Sequence, residues 1–85
     1  MENVIIYVLI TTKHGRVKDV ATKMLSCPQV ENVHELIGQY DIIVKVNLKD
    51  MKEIETFLRT CIRPNFDIER TETLVVSDIP SRGMK

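Results

Sequence analysis

The chain opens on a continuous apolar stretch. Residues Val4 to Ile10 read VIIYVLI, a run of strand length, rich in β-branched residues, in which apolar and polar positions do not alternate. This pattern predicts a β-strand with both faces covered. Residues Thr11 to Gly15 are of types found in turns, so a connection is expected there.

An amphipathic helix is predicted next. Its apolar positions recur at intervals of three and four residues, with charged positions on the opposite face. The apolar set is Val17, Val20, Ala21, Met24 and Leu25, and the charged set is Arg16, Lys18, Asp19 and Lys23. Pro28 lies just beyond the end of this pattern, where it would stop the helix.

A β-hairpin is expected in the middle of the chain. Residues Val30 to Ile37 have a mixed, strand-like pattern, and residues Tyr40 to Val46 read YDIIVKV. Gly38 and Gln39 stand between them as a tight connection. Two strands joined this closely pair in antiparallel fashion.

A second helix and a last strand complete the pattern. Asp50 and Glu53 have the spacing of an N-cap and its capping-box partner. Helical spacing then continues through Ile54, Phe57, Leu58, Cys61 and Ile62. The helix is expected to stop near Pro64, and residues Ile68 to Val76 are predicted to form a strand.

The order β-α-β-β-α-β predicts an α+β fold, the ferredoxin-like sandwich. In this fold a four-stranded antiparallel sheet carries both helices on one face, with the first and third strands at its centre. We expect one domain over residues 1–79 and a C-terminal tail over residues 80–85. Since apolar side chains of the central strands would point to the bare face, we expect a second copy to cover it and form a homodimer.

Composition narrows the possible partners. A domain of 85 residues is marginally stable alone, which favours oligomerisation. Twelve basic residues balance twelve acidic ones, so no positive field is available for direct nucleic-acid binding. The sequence has neither a run of roughly 20 apolar residues to span a membrane nor a basic signal-peptide start. We therefore expect a cytoplasmic protein.

The turn Gly38-Gln39-Tyr40-Asp41 is the leading candidate for a binding site. Glycine permits a positive φ and exposes backbone N–H groups that can bind a carboxylate, while Asp41 offers an acid to an ammonium group. A purely structural interpretation is equally open: Gly38 makes the turn, Asp41 bonds local backbone and Tyr40 packs.

Other reactive residues give weaker signals. Cys27 and Cys61 stand 34 positions apart and are interpreted as free thiols, because they form no close motif. Together with His14 and His34 they lack the ligand spacing of a zinc site, so no metal or cofactor is expected. No catalytic constellation is apparent. The segment TTKHGR, which ends in Arg16, could hold an anion at a helix start and is the best indication of an enzyme.

The chain resembles the ligand-binding domain of the Lrp/AsnC family of feast/famine regulators, which is called the RAM domain. The resemblance lies in the segment CPQVENVHELIGQYDIIVKV, in the amphipathic helix that follows it and in a last strand containing TETLVV. The similarity extends from Val4 to about Ile79. Its most specific element is Pro28 and Val30 at the second strand, followed by Gly-x-Tyr-Asp and a strand ending in Lys45-Val46.

This resemblance implies dimers formed through the sheets and rings such as octamers or decamers, with free amino acids as effectors in clefts between subunits. It implies a ligand site at Gly38, Gln39, Tyr40 and Asp41, completed by the neighbouring subunit's last strand around Thr71 and Thr73. Family members carry a helix-turn-helix before this domain, whereas here the first strand begins near Met1. We therefore expect a stand-alone module that assembles with itself or with full-length regulators.

Three functional hypotheses remain open from the sequence. The first is an amino-acid-binding, oligomerising module that modulates transcription or metabolism without contacting DNA itself. The second is a structural assembly partner that binds no ligand. The third is a small enzyme resembling acylphosphatases, which share this fold and use an arginine after the first strand; here Arg16 matches that position, but the surrounding motif is missing.

Overall fold

A computed structural model describes residues 3–77 of the chain. In chain order its elements are β1 (Val4–Thr12), α1 (Val17–Leu25), β2 (Val30–Glu35), β3 (Ile42–Leu48), α2 (Glu53–Phe57), a π-helical turn (Leu58–Ile62) and β4 (Ile68–Val75). The predicted β-α-β-β-α-β order is confirmed. The predicted tail, residues 80–85, and the proposed domain end at residue 79 lie outside the described residues.

The strands form one sheet in the order β2-β3-β1-β4. Every neighbouring pair is antiparallel, with Val8 of β1 opposite Val44 of β3 on one side and Thr73 of β4 on the other. This is the predicted ferredoxin-like topology, with the first and third strands at the centre.

Alternation along the two central strands builds the hydrophobic core. Even-numbered side chains of β1 and β3 point to the helices, because successive residues of a strand face opposite sides of the sheet, and all of them except Val4 are buried. The helical segments add their own apolar stripe. The core consists of Ile6, Val8, Ile10, Val20, Met24, Ile42, Val44, Val46, Leu48, Phe57 and Ile62.

The opposite side of the sheet, called here the open face, is covered by no helix of residues 3–77. Its apolar side chains come from odd-numbered residues of β1 and β3 and from β4. They remain partly or fully exposed and include Ile5, Tyr7, Leu9, Ile43 and Leu74. Within one copy, therefore, β1 is not covered on both faces as its sequence predicted.

Several predicted strand boundaries differ from the structure. The first strand runs on through Thr11 and Thr12, which pair with Arg70 and Ile68 of β4, so strand pairing overrides their turn preference. Strand β3 begins at Ile42 rather than Tyr40, and β2 ends at Glu35. The connection between these strands is therefore longer than the predicted two-residue turn.

The second helix begins and ends close to where it was predicted. The N-cap is Lys52 rather than the predicted Asp50, but the Asp50 carboxylate accepts a 3.2 Å hydrogen bond from the Glu53 backbone N–H at the helix start. Beyond Phe57 the helix widens into the π turn, where the Arg63 N–H donates to the Leu58 carbonyl five residues earlier. The sequence pattern did not predict this widening.

The two cysteines are not free thiols, contrary to the sequence-based interpretation. Cys27 follows α1 and Cys61 lies in the π turn, and the two form a disulfide bond with their Cα atoms 6.4 Å apart. Both helical segments pack on the same side of the sheet, which brings together residues 34 positions apart in the sequence. Spacing along the chain gave no sign of this proximity.

The helices in residues 3–77 are too short to cross a membrane.

Candidate functional site

The connection between β2 and β3 carries the Gly-x-Tyr-Asp motif. The Leu36 N–H donates to the Asp41 carbonyl and the Asp41 N–H donates to the Ile10 carbonyl, both at 2.8 Å. Between these anchors Gly38 adopts φ +155°, a conformation that favours glycine. Gly38 and Gln39 are exposed at the tip, with open space around the glycine. The backbone of this connection is therefore fixed at Asp41, at the end of β1.

Asp41 also fixes the end of β1 through its side chain. Its Oδ2 accepts a 2.8 Å hydrogen bond from the Thr12 backbone N–H and lies 3.4 Å from the Thr12 hydroxyl. Within residues 3–77 the hydrogen bonds to this carboxylate all end on Oδ2. One carboxylate oxygen is therefore used by the fold, and Oδ1 is left for another donor.

A surface cavity of about 410 Å³ lies beside Asp41. The loop between β1 and α1 contributes Lys13, His14 and Gly15 to its wall, and Glu69 contributes from the start of β4. Gly15 turns this loop at φ +79°. The cavity therefore places two acidic side chains and one basic side chain around a space that opens to solvent.

Tyr40 points away from this cavity, to the open face. Its hydroxyl donates a 2.7 Å hydrogen bond to Oε1 of Glu72 in β4. This hydrogen bond raises the pKa of Tyr40 above its ordinary value, and partial burial and the negative charge of Glu72 raise it further. The side chains of the neighbouring motif residues Tyr40 and Asp41 thus lie on opposite sides of the sheet.

Thr71 and Thr73, the two threonines carried over from the resemblance, stand on the last strand. They pair with Ile10 and Val8 of β1, and Glu72 between them faces the opposite side of the sheet. Neither threonine lines the cavity beside Asp41. Within one copy the six predicted ligand residues therefore do not form a single cluster.

Arg16, the candidate anion-binding residue, is already engaged. Its guanidinium contacts Asp19 at 2.8 Å and Asp67 at 3.2 Å. Two carboxylates beside one guanidinium supply the negative charge that an anionic substrate would otherwise bring. This arrangement gives no support to the acylphosphatase-like interpretation.

The metal hypothesis gains no support either. Within residues 3–77, no group of three or more histidine, cysteine or acidic side chains is close enough to hold a metal ion. His14 lines the cavity beside Asp41, and His34 is exposed on β2.

Sequence reasoning missed Lys13, Glu69 and Glu72 as candidate site residues. Lys13 and Glu69 lie near the ends of β1 and β4 that meet the Gly-x-Tyr-Asp turn, and Glu72 contacts Tyr40 from within β4. The signal available was topological: antiparallel neighbours bring the end of one strand beside the start of the next. The strand order was predicted correctly, and this rule together with that order predicts that these residues lie beside the motif.

Comparison with known proteins identifies the family. The sequence model of one protein family, the Lrp/AsnC ligand-binding domain, matches residues 5–85 of this chain. The HTH-type transcriptional regulator FL11 of Pyrococcus furiosus is 32% identical over 74 residues, which cover 87% of this chain and 48% of that protein. The chain thus spans about half the length of the curated relatives it matches, and those relatives are transcriptional regulators.

Solved structures agree with this result. The protein TTHA0845 from Thermus thermophilus has a TM-score of 0.85 and 32% identity, with 93% of this chain and 99% of the other covered. The AsnC structure from E. coli has a TM-score of 0.83 and 25% identity, with 92% and 53% covered. The chain belongs to the Lrp/AsnC ligand-binding domain family.

Proposed function

We propose that this chain is an amino-acid-binding, oligomerising regulatory module that performs no catalysis and acts in the cytoplasm. The observation that carries the proposal is the position of Asp41 on a cavity that also contains Lys13 and Glu69. A free amino acid carries an ammonium group and a carboxylate close together. Acidic and basic side chains around one small space complement both charges.

The Asp41 carboxylate is suited to the ammonium group. Its Oδ2 is held by Thr12, which fixes the direction of the side chain while Oδ1 remains as an acceptor. Lys13 and the N–H groups of the loop at Gly15 supply positive charge and donors for the carboxylate. The cavity opens to solvent away from the open face, so a copy other than the open-face partner is the natural source of the remaining wall.

The open face supports self-association. The apolar residues Tyr7 and Leu9 lie at its centre, beside Ile43 on β3 and Leu74 on β4. Polar residues such as Lys45 and Glu72 flank them. An apolar patch with a polar surround is typical of a protein–protein interface, and two copies of one face bury it by two-fold symmetry.

The proposed regulation is a shift between assembly states. An effector bound between copies favours whichever assembly completes its site, by the difference in its affinity for the two states. We propose that dimers assemble further into rings of eight or ten copies and associate with full-length regulators of the family. The relatives' role as transcriptional regulators supports transcription as the regulated process.

One observation favours a second candidate function, a structural assembly partner without ligand. The same Asp41 carboxylate that would bind the effector already stabilises the end of β1. This contact alone could explain an aspartate at this position, so the test must separate binding from folding.

The ligand test uses the common amino acids and two variants of Asp41. A ligand at 100 times its Kd stabilises the folded chain by about 2.7 kcal/mol, which raises Tm by roughly 10 to 20 °C in a domain of this size. Asp41→Asn keeps an oxygen for the Thr12 N–H but removes the charge, and we expect it to fold normally and to bind at least about tenfold more weakly. Asp41→Ala loses both the oxygen that accepts from the Thr12 N–H and the negative charge.

One result would contradict ligand binding, and another would contradict the position of the site. If no amino acid raises Tm of the wild type, the structural alternative is favoured. If Asp41→Asn binds as tightly as the wild type, the cavity beside Asp41 is not the site.

Self-association is tested by light scattering during size-exclusion chromatography at micromolar concentration. We expect a dimer or larger assembly, and we expect Leu9→Lys on the open face to lower the mass to that of one copy. Leu25→Lys is the matched control, because Leu25 is exposed on α1 away from that face. Circular dichroism checks that both variants fold. A monomeric wild type would overturn the assembly proposal.

A further inference from the structure

The outer edge of β4 is a free sheet edge. Strand β4 comes last in the order β2-β3-β1-β4, so in the described part of the chain only β1 lies beside it. The Val76 N–H donates to the Ile5 carbonyl at 2.9 Å. Hydrogen bonding alternates along an antiparallel pair. The backbone N–H and C=O groups that point away from β1 are therefore those of Thr71, Thr73 and Val75, and a further strand can pair with them.

This edge lacks the features that commonly block strand pairing. Sheet edges are often protected by proline, by bulges or by very short strands. The opposite edge, β2, has a register shift between Val30 and Asn32, and such a bulge disrupts pairing. From Arg70 to Val75, in contrast, β4 keeps a regular register with β1, contains no proline and is rich in threonine, leucine and valine. Of the two edges, β4 is the better one for pairing.

Two opposite charges lie on this strand and face the same side. Arg70 and Glu72 pair with Thr11 and Leu9 of β1, and both project to the open face. The ion pairs within the described chain do not include Arg70. Tyr40 occupies only Oε1 of Glu72. One positive and one negative charge are therefore available beside the free edge.

We propose that β4 pairs in antiparallel fashion with β4 of a second copy, in the register centred on Thr71. In this register Arg70 of each copy lies opposite Glu72 of the other, and the two Thr71 residues face each other, and both kinds of cross-strand pair are favourable. Centring on Arg70 or on Glu72 brings like charges together. Centring on Thr73 places both charges opposite apolar residues. Charge complementarity therefore selects a second copy as the occupant and fixes the register.

The strand pairing brings the second copy to the proposed ligand cavity. In this register Thr73 of the second copy lies opposite Glu69, which lines the cavity beside Asp41. The last strand of the second copy thus lies next to the open side of the cavity. This consequence rests on the proposed function, whereas the strand contact itself does not require a ligand. The edge contact leaves the open face uncovered, so one chain can make both contacts.

The contact is too small to hold two isolated chains together at micromolar concentration. It involves only residues 69–73 of each copy, and small interfaces are weak. A chain that cannot form the open-face dimer therefore remains a single copy. Between open-face dimers the same contact is reinforced, because closing a ring adds a contact without adding another copy.

A proline variant tests the strand contact. Thr71→Pro removes the central outward N–H but no hydrogen bond to β1, so the sheet of one copy is expected to form. Glu35→Pro is the matched control, because its N–H points outward from the β2 edge. Light scattering at micromolar concentration, without added amino acid, should give more than two copies for the wild type and for Glu35→Pro. It should give two copies for Thr71→Pro. Circular dichroism checks that both variants fold.

Two results would overturn the strand pairing. One is a wild type of only two copies. The other is a Thr71→Pro variant that still exceeds two copies, which would mean that something else covers the edge. Neither result touches the open-face dimer or amino-acid binding, which are tested by Leu9→Lys and by the ligand-induced rise in Tm.

Charge exchange tests the register. Arg70→Glu alone, or Glu72→Arg alone, places like charges opposite each other twice in every contact. We expect each to raise the dissociation constant between dimers at least about tenfold. The double variant Arg70→Glu, Glu72→Arg should recover the larger assembly, because opposite charges again face each other. If the double variant assembles as weakly as the single ones, the register centred on Thr71 is wrong.

Discussion

The Tyr40 hydroxyl donates a 2.7 Å hydrogen bond to Glu72 across the central strand of the sheet. Tyr40 precedes β3 and Glu72 lies in β4, while β1 runs between these two strands. The contact therefore ties the motif turn to the last strand of the same copy, on the open face. It also makes Tyr40 an acid that ionises with more difficulty than an ordinary tyrosine.

Removing the charge of Glu72 should lower the pKa of Tyr40. The hydrogen bond to the carboxylate is the largest cause of the raised pKa, and Glu72→Gln replaces it with a weaker one. We expect the tyrosinate absorbance of this variant to appear at lower pH. Tyr40→Phe identifies the signal, since it removes the Tyr40 hydroxyl and leaves one other tyrosine in the chain. Identical titrations of the wild type and Glu72→Gln would contradict the assignment.

The same hydrogen bond predicts the direction of a pH effect on stability. The pKa of Tyr40 in the folded chain lies above the ordinary value of 10.0. The stability that this hydrogen bond contributes to the folded chain is therefore fully present below pH 10.0 and is lost as the pH rises through the raised pKa. Thermal unfolding should show a steeper loss of Tm above pH 10.0 in the wild type than in Tyr40→Phe.

The two phenylalanines should differ sharply in their effect on stability. Phe57 is fully buried in the core, whereas Phe66 is 84% exposed. Phe57→Ala should lower the free energy of unfolding by about 3 to 5 kcal/mol through lost burial and a cavity. Phe66→Ala should change it by less than about 0.5 kcal/mol. Urea unfolding of both variants measures the difference, and comparable losses would contradict the described core.

Gly15 is expected to resist substitution for a purely conformational reason. Its φ is +79°, while a Cβ added there would meet nothing within 4 Å. Gly15→Ala should therefore lower the free energy of unfolding by roughly 1 to 2 kcal/mol, the cost of a left-handed conformation. Asparagine adopts this conformation more easily, so Gly15→Asn should lose less. If the alanine variant is as stable as the wild type, the loop between β1 and α1 has another conformation.

The sequence predicted the strand order but misplaced some strand ends. Continuous apolar runs of strand length identified both central strands, and apolar periodicity identified both helices, because burial on one face repeats along a helix. It did not extend β1 through Thr12, since that extension depends on pairing with Ile68. Polar residues at the end of a strand carry little local signal when a distant strand holds them.

The candidate site was predicted in part. The motif pointed to Tyr40 and Asp41 as functional neighbours, but consecutive residues point to opposite sides of an extended chain. One therefore contacts Glu72 on the open face, while the other bonds Thr12 beside the cavity. The roles of Lys13 and Glu69 depend on which strand ends meet.

What the sequence determined by itself was the set of strands and helices, their order and the apolar face of each helix. These features follow from periodicity over a few residues, which the local chain contains in full. Only the tertiary structure decided the pairs Thr12 with Asp41, Cys27 with Cys61 and Tyr40 with Glu72, which are separated by 29, 34 and 32 positions. Such contacts depend on strand register and on where elements end, because a shift of one residue turns a side chain to the other face of the sheet.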